Sequence, residues 1–329
     1  MRKQKVGNVK KSNKNINMNI SGSRPKKKLK IKRSIIRGIS TLAVICSVIM
    51  MVGTITINAL TKDVGNLNKA MLEGRYLHSE IVKIDDVSED MKNAIVAIED
   101  SRFYSHKGID LIGLLRAFVK NSVQGTSEGA STLEMQISKN LVTSSEKTME
   151  RKLKDIRVAY EMNKTMSKDE IMQVYLNSIY LNRGATGIKA GARMFFAKDV
   201  SELNLAECAL LAGITKNPSK YTAYNIVDIT TKDSLKLLEN KLLFTEVDLD
   251  KVNINVDVAE YLLELGLINE EQYNLMLDGK LLVQRAVLNK ESISRQKVVL
   301  QRMRDLGFIS KKQLEEALKT EIIIDTSLK

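Results

Sequence analysis

From Gly38 to Leu60 the chain runs 23 residues without a charged side chain. A helix of that length, at ~1.5 Å per residue, reaches ~34 Å and can cross a hydrocarbon core of ~30 Å. Arg24-Pro25-Lys26-Lys27-Lys28-Leu29-Lys30-Ile31-Lys32-Arg33 precedes it, and Lys and Arg on that side predict a cytoplasmic N-terminus. A cleaved signal peptide is the rival reading, but the apolar stretch is too long and no clear small-x-small site follows it. The sequence therefore predicts a basic cytoplasmic tail over 1–37, a transmembrane helix over 38–60 and an extracytoplasmic remainder.

The net charge of +13 suggests a nucleic-acid binder until the charges are located. Of the 52 basic residues, 14 fall within 1–37, where there is no acid, which leaves 38 basic against 39 acidic residues. The basicity is a tail and not a face, so no nucleic-acid partner is expected. Cys46 lies in the apolar stretch and Cys208 in a helical run, a placement that excludes a disulfide between them. Two prolines and no Trp point away from a turn-rich β domain.

Past residue 61 the patterns are helical. Met91, Ala94, Ile95 and Ile98 recur at helical spacing and lead into Glu99. Ser131-x-x-Glu134 reads as a capping box, as does Ser167-x-x-Glu170. Met149, Leu153, Ile156 and Tyr160 form one apolar stripe, and Asn204 with Glu207 opens a helix over Leu205–Leu211 that Gly213 is expected to stop. Strand patterns are nearly absent, which predicts a mainly α fold. Beyond 225 a weak repeat at an offset of 41 residues aligns Leu265-Gly266 with Leu306-Gly307, predicting two helical hairpins in an appendage over 226–329.

Two segments carry the chemistry: Glu99-Asp100-Ser101-Arg102-Phe103-Tyr104-Ser105-His106-Lys107-Gly108, and Gly129-Ala130-Ser131-Thr132-Leu133-Glu134-Met135-Gln136-Ile137-Ser138-Lys139-Asn140. If the helix ending at Glu99 continues for two turns, Phe103 and His106 share its face and Gly108 ends it. A carboxylate beside aromatic surface suits a general base. Lys139, Lys147, Arg151, Lys152 and Lys154 cluster within 16 residues, and their donors suit a departing diphosphate. His78 and His106 are too few and too far apart to predict a zinc site. Ser144-x-x-Lys147 and Ser294-x-x-Lys297 lack a Lys-Thr-Gly or Lys-Ser-Gly companion and read as coincidences.

These segments resemble the first two motifs of the peptidoglycan glycosyltransferases, glycosyltransferase family 51. Arg151-Lys152-Leu153-Lys154-Asp155 resembles the third. Ser167 to Tyr180, Gly184, Gly187-Ile188, Phe195-Phe196-Ala197-Lys198, Glu202 to Glu207 and Lys216 to Tyr221 continue the likeness in order over about residues 70–225. Segment 289–320 is similar to the helical stretch that follows this domain in bifunctional penicillin-binding proteins, which makes 226–288 an insertion.

The resemblance implies a lysozyme-like helical glycosyltransferase domain over 61–225, polymerising lipid II into β-1,4-linked glycan strands with release of polyprenyl diphosphate. It implies Glu99 as the base that deprotonates the acceptor hydroxyl, with Asp155 as second acid. Asp100 and Arg102 would shape the acceptor site, Ser131, Thr132 and Gln136 would line the donor groove, and Phe103, His106 and Asn140 would be further substrate-binding residues. Lys139, Lys147, Arg151 and Lys152 would hold the diphosphate. Asp155 would either orient those cations or bind a divalent metal, magnesium or manganese, the resemblance leaving open whether a metal is obligatory. Implied partners are lipid II, the growing glycan chain, the membrane, and a transpeptidase or a divisome or elongation protein. Asp155, Met135 and Asn182 depart from the family pattern, which has Glu, Gln and Gly at these places. They motivate the alternative of a catalytically weakened member serving as a cell-wall synthesis scaffold.

Overall fold

The computed structural model describes residues 67–76, 80–124, 129, 131–143, 148–229, 242–246 and 256–325, with scattered positions between 41 and 62. The chain divides into two units, 1–54 and 55–329. In the first, the described positions between 41 and 54 are helical, and Val44, Val48, Met51 and Val52 are exposed. The expected membrane-crossing helix lies partly outside the described residues, and the basic tail wholly outside them. No helix among the described residues is long and apolar enough to cross a membrane.

The second unit is mainly helical. Its most buried element is the helix Leu205–Ile214, whose residues from Ala206 to Ile214 are all buried. Asn204 opens it with the expected capping box, its side chain accepting from Glu207 N while Glu207 accepts from Asn204 N. Apolar on every side, it can only be a central helix. The helices Glu89–Glu99 and Lys290–Asp305 both pack against it and against each other. Leu210, Leu211, Val299, Leu300 and Met303 are wholly buried there, each worth about 1.5–3 kcal/mol relative to exposure.

Gly213 does not stop this helix, which runs on to Ile214 with Thr215 as its C-cap. The glycine is a close-approach position instead: a Cβ there would stand 3.0 Å from Arg295 Cγ. The stripe Met149, Leu153, Ile156 and Tyr160 also reads differently. The helix Met149–Thr165 buries Asp155, Val158, Ala159, Glu161 and Met162, while Met149 and Tyr160 are exposed. Periodicity locates an apolar stripe but cannot say whether protein covers it.

The C-terminal third holds the two predicted hairpins, Val256–Glu264 with Glu270–Leu277 and Lys290–Asp305 with Lys311–Lys319. It also holds a sheet that the sequence reading missed. Strands β1 (Tyr224–Asp228), β2 (Leu242–Glu246) and β3 (Leu281–Leu288) form an antiparallel sheet in the order β1-β3-β2. Tyr224 pairs with Leu288 and Phe244 with Val283. Ile229, Val258, Ala259, Leu262, Met276 and Val283 make a small separate core between the strands and the first hairpin. The second hairpin joins the main core through Val299, Leu300, Met303, Leu314 and Ala317.

Candidate active site

Glu99 is the last residue of the helix Glu89–Glu99, which Ser88 caps by accepting from Met91 N. The helix ends here and does not run the two further turns that the spacing suggests. Asp100 leaves helical geometry at φ −150°, ψ 76°, and Phe103–Ser105 form a short 3-10 turn. Half-buried at this end, Glu99 meets two neutral donors from distant parts of the chain. Gln136 Nε2 donates to its Oε2 at 2.8 Å, and Thr215 Oγ1 donates to its Oε1 at 2.5 Å.

Asp100 ties the first segment to the second. Its Oδ2 accepts from His106 Nε2 at 2.8 Å and from Leu133 N at 3.2 Å. Gly108 N donates to His106 Nδ1, which leaves Nε2 as the N–H that donates to Asp100. Gly108 holds φ +92° and lies so close to Ala159 O that a Cβ would stand 2.5 Å from it. Thr132 donates to the Gly108 carbonyl at 2.8 Å and caps the helix Leu133–Ile137 by accepting from Met135 N.

The cap is thus Thr132, one residue after the expected Ser131, and Glu134 makes no capping box. The Glu134 carboxylate turns inward, where its Oε1 accepts from Lys168 at 2.7 Å and from Asn163 at 2.8 Å. Asp100, His106 and Glu134 place ligand-type atoms within 4.8 Å of one another. They do not fit a metal: both His106 ring nitrogens are engaged, and the Lys168 ammonium already sits on Glu134.

After Ile137 the backbone widens into a π turn over Ser138–Val142, a form common at functional sites. Lys139 and Asn140 are exposed on it, and Asn140 donates to Ser178 O. Ser138 Oγ donates to Asp155 Oδ1 at 2.8 Å, Thr143 to the same oxygen at 3.0 Å, and Arg151 to Oδ2 at 2.8 Å. Three of its four lone-pair sites are taken, so Asp155 is a buried anchor for Arg151. Lys152 donates to Ser131 Oγ at 3.0 Å. Burial pushes the Lys152 pKa down, Arg151 adding to this and Asp155 opposing it. Lys147 lies outside the described residues.

Several residues expected at the substrate have partners within the protein. Phe103 is 0% exposed, with the Lys168 ammonium 4.4 Å from its ring centre, so it packs the core and cannot touch a sugar. Thr132 and Asp100 are buried and committed to the segment junction. Arg102 forks onto Asp110, with Nε at 3.1 Å and one terminal nitrogen at 2.6 Å from Oδ1. Asp110 in turn accepts from Gly113 N at the start of the helix Leu111–Gln124. Met135 is buried, and Asn182 holds φ 79°, a left-handed conformation Asn tolerates.

Three residues were not predicted from the sequence. Thr215 bonds Glu99. Tyr175, fully buried, donates to Gln136 Oε1 at 3.4 Å; its pKa lies well above the ordinary tyrosine value, through burial first and then the charges of Glu99 and Asp100. Arg295, on the helix Lys290–Asp305, feels Glu99: burial lowers its pKa, and the Glu99 charge opposes that. Tyr175 and Arg295 lie within the segments 167–180 and 289–320 that carry the family likeness, but nothing local singles out any of the three, and each is brought in by long-range packing.

The transglycosylase family profile matches residues 65–241, more than half of the chain. The chain belongs to that family. A protein described as a transglycosylase from Cupriavidus necator is 46% identical over 43% of this chain and 61% of its own length. Penicillin-binding protein 1A of Clostridium perfringens is 39% identical over 65% of this chain and 30% of its own. Penicillin-binding protein 1A of Neisseria lactamica is 47% identical over 43% of this chain and 18% of its own. The chain spans less than two thirds of each of these relatives.

Proposed function

We propose that this protein is a peptidoglycan glycosyltransferase that polymerises lipid II into β-1,4-linked glycan strands and releases polyprenyl diphosphate. One observation carries the reading: residues 131–138 touch both chemical ends of the site at once. Gln136 holds Glu99, while Ser131 and Ser138 hold Lys152 and Asp155. A base and a cation cluster fixed to one short segment suit a displacement in which one end takes a proton and the other receives a leaving anion.

In this mechanism Glu99 accepts the proton of the acceptor sugar's hydroxyl as that oxygen attacks the anomeric carbon of the growing chain. The bond to the diphosphate breaks with its electron pair on the phosphate oxygen. Lys139, Lys147, Arg151 and Lys152 stabilise that charge, and Asp155 orients Arg151. Arg151 Nε is buried without a hydrogen-bond partner, a donor that an incoming anionic oxygen would satisfy.

A substrate with a polyprenyl tail requires a site at the membrane face. Leu111, Leu115 and Val119, with Ile112, leave an exposed apolar stripe on the helix Leu111–Gln124. This supports a membrane-facing location; the cytoplasmic tail and single anchor rest on the sequence of residues 1–60, and a transpeptidase or a divisome or elongation protein is the expected partner.

The test is polymerisation of lipid II by the full-length, detergent-purified protein. Glycan strands that disappear in Glu99→Gln, with a rate loss of at least about 100-fold, support the transferase. A folded wild-type protein that binds lipid II without elongating it would instead be a scaffold.

A further inference from the structure

Thr215 presents one hydroxyl proton to more than one acceptor. Its Oγ1 lies 2.5 Å from Glu99 Oε1 and 2.7 Å from the Ala212 carbonyl oxygen, one turn back on the helix that Thr215 caps. A hydroxyl has a single donor and two acceptor lone pairs, so it cannot donate to both at once. Tyr175 also reaches Thr215; its own proton goes to Gln136, so its oxygen is a further neutral acceptor there, weaker like the Ala212 carbonyl than the carboxylate.

The choice depends on Glu99. While Glu99 is a carboxylate, the proton goes to Oε1, because a hydrogen bond to a charged acceptor is about twice as strong as a neutral one. Once Glu99 has taken the acceptor's proton it is neutral, and the hydroxyl turns to Ala212. With the proton settled on Oε1, Glu99 then donates to the lone pair that Thr215 has freed. A partner faces Oε1 in either state, and no backbone has to move.

We propose that Thr215 is a positioning residue for the transfer reaction, a hydroxyl rotor that holds the Glu99 carboxyl in one place before and after proton transfer. This rests on the transferase reading. The acceptor O–H bond breaks and its oxygen bonds the anomeric carbon. The diphosphate leaves with the electron pair of the broken bond. The proton ends on Glu99 and passes to solvent on turnover. Gln136 fixes the other oxygen, so the two anchors together leave Glu99 little rotational freedom, and near-attack geometry of this kind is what a general base needs.

The test compares wild type, Thr215→Val, Thr215→Ala and Thr215→Ser in steady-state lipid II polymerisation, with thermal melting of each. The expected result is a fall in kcat of about 10- to 100-fold in the Val and Ala variants with KM within about twofold, and recovery to within about threefold of wild type in Ser. Val keeps the branched shape and Ala avoids any clash, so a folding failure in one leaves the other to report. Unchanged kcat without the hydroxyl, or a Ser variant as poor as Val, overturns the proposal while leaving the transferase standing. An inactive wild type overturns both.

Discussion

Gln136 Nε2 stands 2.8 Å from Glu99 Oε2, and the two residues lie 37 positions apart in sequence. The amide can do this because its own Oε1 is turned toward the Tyr175 hydroxyl, which fixes which end is N–H. Gln136→Leu removes the donor and leaves the carboxylate held by Thr215 alone, and polymerisation is expected to fall about 10- to 100-fold. Gln136→Glu keeps the shape but sets a like charge beside Glu99, and the loss should be at least as large. Initial rates on lipid II with matched melting curves decide both.

The buried Asp155 makes a sharper case. Three donors converge on a carboxylate that is 2% exposed. Asp155→Asn strands the Arg151 guanidinium, at a stability cost of up to about 3 kcal/mol, the low end for a broken buried pair because the Arg151 side chain keeps 18% exposure. Asp155→Glu restores the longer side chain of the family pattern but must fit an extra methylene among Ser138, Thr143 and Arg151, an overpacking of about 1–3 kcal/mol. Both variants should lose activity, and a gain in Asp155→Glu would mean that the aspartate is an eroded acid and not a fitted anchor.

Acid sensitivity should trace in part to Asp110. Burial pushes its pKa up, but the Arg102 hydrogen bonds, with help from Gly113 N and the Arg102 and His106 charges, outweigh that and hold it below the ordinary carboxylate value. A carboxyl depressed in the fold contributes stability that is complete above its unfolded value, about 3.9, and is lost as pH falls through the folded value. The melting-temperature gap between wild type and Asp110→Asn should therefore be constant above about pH 5 and narrow below it. A gap that persists unchanged to pH 3 would place the effect in packing.

Much of this was readable in the sequence where a signal is local. The boxes at Ser167-Glu170 and Asn204-Glu207 each need only residues three apart, and both form. Signals failed where tertiary partners decide. Glu134 looked like a capping acid but found Lys168 and Asn163, and Gly213 looked like a stop but makes room for Arg295. Phe103 looked like an aromatic wall and became core. Thr215 bonds Glu99 across 116 positions, and the Glu99 charge acts on Arg295 across 196, beyond any periodicity. The strand Leu281–Leu288 is a run of mostly aliphatic residues whose type only its partners on either side settle.

The sheet also predicts which part of the C-terminal third is dispensable. Asn225 pairs with Val287 in antiparallel register, and Asn289 N donates to Ala223 O at 3.0 Å, so the two ends of the segment 226–288 meet at one point. Most of its buried apolar residues fill their own small core, Ala286 and Leu288 packing against the edge of the main one, whereas Val299, Leu300 and Met303 fill that main core. Replacing Ile226–Ala286 by Asn-Gly should close a two-residue hairpin between Asn225 and Val287 and leave melting within a few degrees of wild type, with Arg295 still at Glu99. Ending the chain after Leu288 opens the core at three wholly buried side chains, each worth about 2–5 kcal/mol on truncation to Ala, and should abolish folding. Differential scanning fluorimetry on the two deletions separates these outcomes. An unfolded excision variant would mean that the strands, and not only the helix after them, hold the active-site helices together.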